Sequence, residues 1–500
     1  MTSERVSAGQ ACVPALSSVS SDLDEAVHRC LVAGFEGTTT FPDTLKRLID
    51  RGLGGVILFT RNVRDAQQVR ELTDSLRALR PDLMIAIDNE GGGIGHLTRA
   101  GAPEVPGSYA LGVADDPDLT ARCADALAGH LATLGITASY APVADLQFRP
   151  DNPIVRTRSF GADPDLAARH LRAWITATDA RGIASCAKHF PGHGGTVTDS
   201  HHDLAVDPRP YDELWADLAP FRAAVAAGVP MLMSAHVVFP ALDANRPATL
   251  SRRILRDLLR DEIGFDGVLV SDALEMKAIA DRYGEAAGAR IALAVGADQA
   301  VVAVPDLEVT LACRDAVLDA LHTRRLTEER VYEAAGRVRK LADRYAAPAA
   351  VAVAGWDSGA GLAAARKAVR GSSLPAPVRG AHVVDLFPTP HPALNWGGED
   401  LLTELRPLDP SATGTAVTGE PCDPSDLVDG ILRVVGNSPL IVATCDAGLH
   451  PWQTHLRDAL LSRRPDALRV DTGLPEGGAL CSYGRGRVNL RATAEVLAGR

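Results

Sequence analysis

Between Leu31 and Val304 the chain alternates short, uninterrupted apolar runs with amphipathic helical stretches. The runs are Leu31–Phe35, Gly55–Phe59, Met84–Asp88, Ser139–Pro142, Ala184–Lys188, Met231–Ser234, Gly267–Ser271 and Gln299–Val304. A strand that is apolar at every position, rather than at every second one, is buried on both faces, and helices between such strands make the connections parallel. The intervening segments Asp65–Leu79, Leu119–Leu134, Pro164–Arg181, Tyr211–Ala227, Arg252–Glu262 and Glu285–Val295 carry that helical pattern. Eight strands in about 270 residues predict an α/β fold of the (β/α)8 barrel type. A doubly wound open sheet uses the same alternation and is the alternative. The strong helix pattern of Thr327–Tyr345 is expected to close this domain.

The organisation beyond it follows from composition. Residues 346–355 (AAPAAVAVAG) are small, uncharged and interrupted by proline, which predicts a linker after a barrel and N-terminal extension spanning 1–345. The apolar pattern restarts at His382–Leu386, Leu440–Thr444 and Ala467–Val470, with a last helix at Asn489–Ala498, so 356–500 reads as a smaller α/β domain. Pro388 to Cys422, rich in Pro, Gly, Thr and Asp, is expected to be loop. A formal charge of −12, from 51 basic and 63 acidic residues, argues against nucleic acid or an anionic membrane as partner. No apolar stretch reaches the ~18 residues of a membrane span, and the N-terminus lacks the basic start and apolar core of a secretory signal. Eight scattered cysteines without a CxxC pair fit reduced thiols, and a cytoplasmic location is expected.

The unusual polar residues fall at strand ends. Asp88-Asn89-Glu90-Gly91-Gly92 follows the third run, Asp145 the fourth, Lys188-His189 through His193-Gly194 the fifth, Ser234-Ala235-His236 the sixth and Ser271-Asp272 the seventh. Barrel active sites are assembled at the carboxyl ends of the strands, so five consecutive ends carrying ionisable groups describe one pocket. Any single one could instead be a turn former or helix cap.

His189, His193, His201 and His202 lie within fourteen residues, which raises the question of a metal. His189 and His193 have the i, i+4 spacing of two ligands on a helix, but Pro191, Gly192 and Gly194 oppose a helix and the glutamate of HExxH is missing. No metal and no cofactor is therefore expected, and His193 reads as a buried imidazole tying down a glycine-rich loop. In Asp199-Ser200-His201 the carboxylate is close enough to orient the imidazole and raise its pKa toward neutrality, as proton donation and return require. Asp272 ends a rigid apolar strand and suits a nucleophile or electrostatic partner. It could also cap the next helix, with Glu275 completing a capping box. Gly91-Gly92-Gly93-Ile94-Gly95 misses the GxGxxG pattern at His96, which weakens a dinucleotide site.

Several segments together resemble the NagZ-like branch of the glycoside hydrolase family 3 β-N-acetylhexosaminidases. They are Gly54–Asn62, Ile87–Gly92, Tyr140–Asp145, Thr157–Phe160, Ala187–Gly194 (AKHFPGHG), Asp199–His201 and Val270–Met276, in family order and at family-like spacing. The resemblance implies a retaining, two-step glycosidase acting on a small-molecule glycoside. Asp272 would be the nucleophile, His201 the acid/base and Asp199 the group orienting it. Asp88, Arg158, Lys188 and His189 would hold the sugar hydroxyls. The chain departs from the family where an arginine commonly follows DxEGG and another comes three residues later; Gly93 and His96 stand there, so His96 joins the expected sugar-binding edge. A terminal β-linked N-acetylhexosamine on a soluble glycoside, with an unusual and small aglycone, is the expected substrate. A phosphorylase using phosphate in place of water and a sugar-binding protein on the same scaffold are the alternatives.

Overall fold

A computed structural model describes residues 20–200, 203–346, 355–369, 376–389, 400–422 and 424–500. Most of the expected linker at 346–355 therefore lies outside the described residues. Eight parallel strands form one sheet: β1 (Leu31–Ala33), β2 (Gly55–Leu58), β3 (Met84–Ile87), β4 (Ala138–Ser139), β5 (Ala184–Phe190), β6 (Met231–Ser234), β7 (Val268–Ser271) and β8 (Ala300–Val302). Each overlaps one of the eight apolar runs; β4 begins one residue before its run and β5 ends two residues beyond its own. Their spatial order is their chain order, with β8 beside β1 through Leu31↔Ala300 to Ala33↔Val302. The last seam, β7 to β8, is made by the Val270↔Gln299 bridge, by Ser271 N–H to the Gln299 carbonyl at 2.9 Å, and by the Ser271 hydroxyl accepting Val301 N–H at 3.0 Å. Closure decides for the barrel over the open sheet.

The regular β4 ladder is only Ala138–Ser139, but main-chain bonding to β5 continues past it, the Ala141 and Pro142 carbonyls accepting Cys186 N–H at 2.8 Å and Lys188 N–H at 3.2 Å. Helices lie in the segments where the 3.6-residue pattern puts them, with Arg253–Glu262 wound as a π-helix instead, and several are capped by the residue just before the helix. Asp65 accepts Gln68 N–H, Asp116 accepts Leu119 N–H, and Thr327 accepts Arg330 N–H at the start of Glu328–Tyr345.

Strand parity sorts the barrel into two cores. Val32, Ile57, Met84, Ala86, Tyr140, Cys186, Met233, Val270 and Val301 fill the lumen; the alternate positions pack outward against the helix ring. Val338, Leu341, Ala342 and Tyr345 of the helix Glu328–Tyr345 plug the lumen from below. Buried Asp298, just before β8, ties this end together. Its carboxylate accepts Leu269 N–H at 2.9 Å and pairs with the guanidiniums of Arg260 and Arg330.

The C-terminal domain holds a five-stranded parallel sheet, in the order β10-β9-β11-β12-β13, with helices on both faces. Its strands are β9 (His382–Phe387), β10 (Thr413–Thr418), β11 (Leu440–Thr444), β12 (Leu468–Asp471) and β13 (Leu480–Cys481). The reading of Pro388 to Cys422 as loop is corrected here. Leu401–Leu405 is helical and Thr413–Thr418 is the edge strand β10; residues 390–399 of that stretch lie outside the described residues. Val417 is the one buried side chain in β10, so the apolar signal that marks a central strand is missing. No described helix is long and apolar enough to cross a membrane.

Asp298→Ala should cost about 3–5 kcal/mol in urea unfolding, because it strands buried guanidinium charge. A loss below about 1 kcal/mol would mean that Arg260 and Arg330 re-pair locally.

Candidate active site

The lumen parity carries chemistry to the top of the barrel. Met84 and Ala86 continue to Asp88, Ala184 and Cys186 to Lys188, and Val268 and Val270 to Asp272, each two residues on. Asp88, Lys188 and Asp272 therefore project over the filled lumen into a cavity of about 530 Å³. Arg158, His189 and His96 line the same cavity, and the lumen side chains Ile57, Tyr140, Met233 and Val301 form its floor.

The charged groups form a lattice. Lys188, 2% exposed, puts its ammonium 2.6 Å from Asp88 Oδ1 and 2.6 Å from Glu90 Oε1. Arg158 grips Glu90 from the other side, donating Nε–H and Nη2–H to its two oxygens at 2.9 Å each. Burial alone would push the Glu90 carboxyl up, but the Arg158 guanidinium and Lys188 ammonium outweigh it and hold the group well below the usual carboxylate range. For Lys188, burial works against the charge, and Asp88 with Glu90 more than restores it, leaving the ammonium above its ordinary value. The edge thus stays zwitterionic at neutral pH, offering donors and acceptors to vicinal hydroxyls.

His189 is the extra residue of a β-bulge. Lys188 pairs with Met233 and Phe190 with Ser234, so two consecutive side chains, Lys188 and His189, reach one cavity. Its Nδ1–H donates to Asp145 Oδ2 at 2.7 Å, which fixes the tautomer and leaves Nε2 as the ring's other polar atom. The other Asp145 oxygen accepts the backbone N–H of His189 at 3.1 Å and of His193 at 2.8 Å. His236 donates Nε2–H to the Ala273 carbonyl at 2.9 Å, and the Ser234 carbonyl accepts Asp272 N–H at 3.3 Å. Asp272 Oδ1 itself accepts Ala273 N–H at 2.8 Å. Of the five polar strand ends, then, the third, fifth and seventh line the cavity. The fourth and sixth stand behind them and hold them in position.

A family model described as the glycosyl hydrolase family 3 N terminal domain matches residues 24–341. The chain belongs to glycoside hydrolase family 3, and it is a glycoside hydrolase. A Beta-hexosaminidase of Bordetella pertussis is 36% identical over 320 residues, which are 62% of this chain and 87% of that protein. Beta-hexosaminidase A of Pseudoalteromonas piscicida is 34% identical over 331 residues, 61% of this chain but 55% of that protein, so the chain spans little more than half of that relative. The solved structure of a family 3 beta-N-acetylglucosaminidase from Paenibacillus sp. str. FPU-7 superposes with a TM-score of 0.88 at 32% identity. It covers 95% of this chain and 96% of its own, so both domains have counterparts.

Within this glycosidase, Asp88, Arg158, Lys188, His189, His96 and Asp272 converge on one cavity as the sequence led us to expect. His201, the expected acid/base, lies outside the described residues, as does His202. Asp199 lines a second cavity beside the first, and Ser200 lines the first, so the loop Gly194–Ser200 runs along the boundary between them. That loop is tightly seated. A Cβ on Gly194 would lie 1.9 Å from the Leu146 carbonyl oxygen, and one on Gly195 would lie 2.0 Å from Asp207 Oδ2. His193 is the buried tether expected of it, its Nδ1 2.8 Å from the Thr196 hydroxyl and its Nε2 3.1 Å from that of Ser200. No three His, Cys, Asp or Glu side chains converge as a metal set among the described residues.

Two readings are corrected. Asp272 caps no helix, since Lys277–Tyr283 begins five residues later behind Met276, and Glu275 completes no capping box. Glu275 turns inward, accepting Ala303 N–H at 3.1 Å, and burial pushes its carboxyl up. The glycine run is a hairpin between Asn89–Gly91 and Ile94–Gly95, turned by Gly91 and Gly92 at φ of 82° and 58°. The residue that sequence reasoning passed over is Glu90, although it shares Asp88's parity; that spacing was the signal. His96, in the place of an arginine, accepts or donates at Nδ1 to the Thr60 hydroxyl at 2.9 Å, and burial pushes its imidazole down.

Glu90→Gln should lower kcat/KM by about 100-fold or more, because Arg158 and Lys188 lose the carboxylate that aims them. Less than a threefold change would mean that Asp88 alone organises the edge. Burial pushes the His193 imidazole down to about 4 from 6.5. The unfolded chain then binds a proton below pH ~6.5 that the folded chain takes up only near pH 4, so acidification across this window favours unfolding. His193→Gln should flatten the loss of urea stability between pH 6.5 and 4; an unchanged slope would assign the loss to other groups.

Proposed function

We propose that the protein is a retaining, exo-acting β-N-acetylglucosaminidase that releases terminal β-linked N-acetylhexosamine from soluble glycosides, with Asp272 as nucleophile. The observation that carries this reading is the position of Asp272. It is the next lumen-facing residue of a rigid strand, anchored through Oδ1, and it faces the Asp88–Lys188–Glu90–Arg158 lattice across one blind cavity. A cavity closed below by packed side chains admits a chain end and no more. The hexosaminide preference rests on the names of the relatives, the β-hexosaminidase at 36% identity and the β-N-acetylglucosaminidase structure at 32%.

In the first step Asp272 attacks the anomeric carbon as the glycosidic C–O bond breaks. His201, protonated and oriented by Asp199, gives its proton to the leaving oxygen. In the second step the neutral His201 takes a proton from water, which attacks the anomeric carbon and releases Asp272. Asp88, Lys188, Arg158, His189 and His96 hold the sugar, and that positioning energy acts at the reacting carbon. The enzyme needs no cofactor in this scheme, and we place it in the cytoplasm, acting on a small-metabolite aglycone.

The test is turnover of an aryl β-N-acetylglucosaminide beside the matching β-glucoside, with and without phosphate. Asp272→Asn should reduce turnover by about 10⁴-fold or more, since it removes the carboxylate that would form the covalent intermediate. Retention of a tenth of the activity would remove Asp272 from the role. His201→Ala should slow substrates with poor leaving groups by about 10²–10⁴-fold while sparing activated aryl glycosides. Equal losses on both would make His201 structural, and a rate that requires phosphate would make the enzyme a phosphorylase.

A further inference from the structure

Among the described residues, five other than glycine hold a positive φ, a conformation in which Cβ crowds the backbone. Asp115 and Arg324 do so just after the helices Ser108–Ala114 and Leu307–His322, an ordinary way for a helix to stop. The other three end no helix: Arg156 at 42°, Asp446 at 54° and Tyr483 at 56°. All three lie where the barrel meets the C-terminal domain. Arg156 and Asp446 are bonded to each other, Nη2 to Oδ1 at 2.7 Å, and Tyr483 stacks on Tyr109 of the barrel. Strain of this kind persists only where surrounding contacts over-determine it, and it gathers at functional sites.

Each partner of the Arg156–Asp446 pair is held within its own domain. Asp446 stands on the turn after β11, where buried Gln453 donates to the Cys445 carbonyl and accepts Cys445 N–H, each at 2.9 Å. Asp446 Oδ1 also accepts Leu474 N–H at 3.0 Å, and a Cβ on Gly473 would overlap that oxygen. Glu476 stands 3.9 Å from the same guanidinium nitrogen but is turned to Gly448 N–H, which it accepts at 2.9 Å. On the barrel side Gln147 Oε1 accepts Arg156 N–H at 2.6 Å. Arg156 Nη1 donates to the carbonyls of Pro150 at 2.9 Å and Asn152 at 3.2 Å. One guanidinium therefore clasps its own turn and the second domain together.

Two residues on, Arg158 forks onto Glu90. The hairpin that carries Glu90 is also backed by the C-terminal domain, since a Cβ on Gly486 would lie 3.4 Å from Gly92 Cα. Gly486 follows Arg485, whose guanidinium donates to both Asp385 oxygens, at 2.8 and 3.1 Å, inside the C-terminal sheet. Both members of the fork thus stand on backbone that the second domain braces. We infer that Asp446 is a positioning residue of the sugar edge: from the C-terminal domain it fixes Arg156, and through that turn it keeps Arg158 on Glu90. The inference rests on the reading of that edge as the part of the glycosidase that holds the sugar. It makes the second domain a working part of the site and not only a neighbour of it.

The test uses the full chain and kcat/KM for an aryl β-N-acetylglucosaminide. Asp446→Asn keeps the size and the tolerance of positive φ while removing the charge, and should lower kcat/KM about tenfold. In an Arg158→Ala background the same change should cost less than about twofold, because the group it positions is gone. Lys367→Met breaks another pair between the domains, Lys367–Asp116 at 2.9 Å. It should leave kcat/KM within about twofold of native, since that pair does not reach the turn 151–158. Should Asp446→Asn fail to fold, the barrel side answers the same question. Arg156→Met should lose about tenfold, and Arg156→Lys, which keeps the ion pair, less than about threefold. Native kcat/KM in Asp446→Asn, the same loss with and without Arg158, the same loss in Lys367→Met, or equal losses in the two Arg156 variants would overturn the proposal and leave the sugar edge standing. An unimpaired Arg158→Ala, or no turnover by the native chain, would bring down the sugar-edge reading and the proposal with it.

Discussion

The site depends on an alternation of buried charge: Asp88, Lys188, Glu90, Arg158. Each pair alone would be an expensive thing to bury, since desolvation opposes both charges. In the chain of four, every internal member faces two partners of opposite sign, and Arg158 meets Glu90 through a two-point fork. The result is that Glu90, Lys188 and Arg158 are each held in the charged form despite their burial. Sugar hydroxyls are both donors and acceptors, and such an edge supplies both without reorganising when the substrate arrives.

Behind this edge lies a layer that never touches the cavity's centre. Asp145 takes three N–H groups from His189 and His193, so one carboxylate sets the imidazole's tautomer and shapes the backbone beneath it. His236 does the corresponding work beside Asp272 by binding the Ala273 carbonyl. Rigid strand ends define where these groups start, and the second layer removes the rotamer freedom that remains. The glycines of the Asp199 loop belong to the same logic. Gly194 and Gly195 lie so close to Leu146 and Asp207 that a methyl group would displace the loop.

The barrel turn 151–158 joins the two halves of the molecule. Within three residues it sends Arg158 into the sugar cavity and Arg156 across to Asp446 of the C-terminal domain. Asn152 pins the turn to the Asp199 loop through the carbonyls of His193 and Thr196. The Glu90–Arg158 pair, the Asp199 loop and the second domain therefore share one piece of backbone. The position of the C-terminal domain is tied, through this turn, to the charged edge of the cavity.

What the sequence determined by itself was the periodic part. Eight doubly apolar runs separated by helices required a parallel sheet with helices outside, and polar residues at the ends of three of those runs line one cavity at the top of the barrel. Period-two spacing even places Asp88, Lys188 and Asp272 on one face, because each follows its strand's lumen residues by two. Sheet closure, the bulge at His189 and the inward turn of Glu275 were decided only in three dimensions, since each depends on a neighbour distant in sequence. The edge strand Thr413–Thr418 escaped notice because a strand with one buried side chain carries almost no apolar signal. The pairing of Arg156 with Asp446, 290 residues apart, has no local signature at all. Local patterns fix which faces are buried; only packing decides which buried face meets which, and at this site that choice sets the charges the substrate encounters.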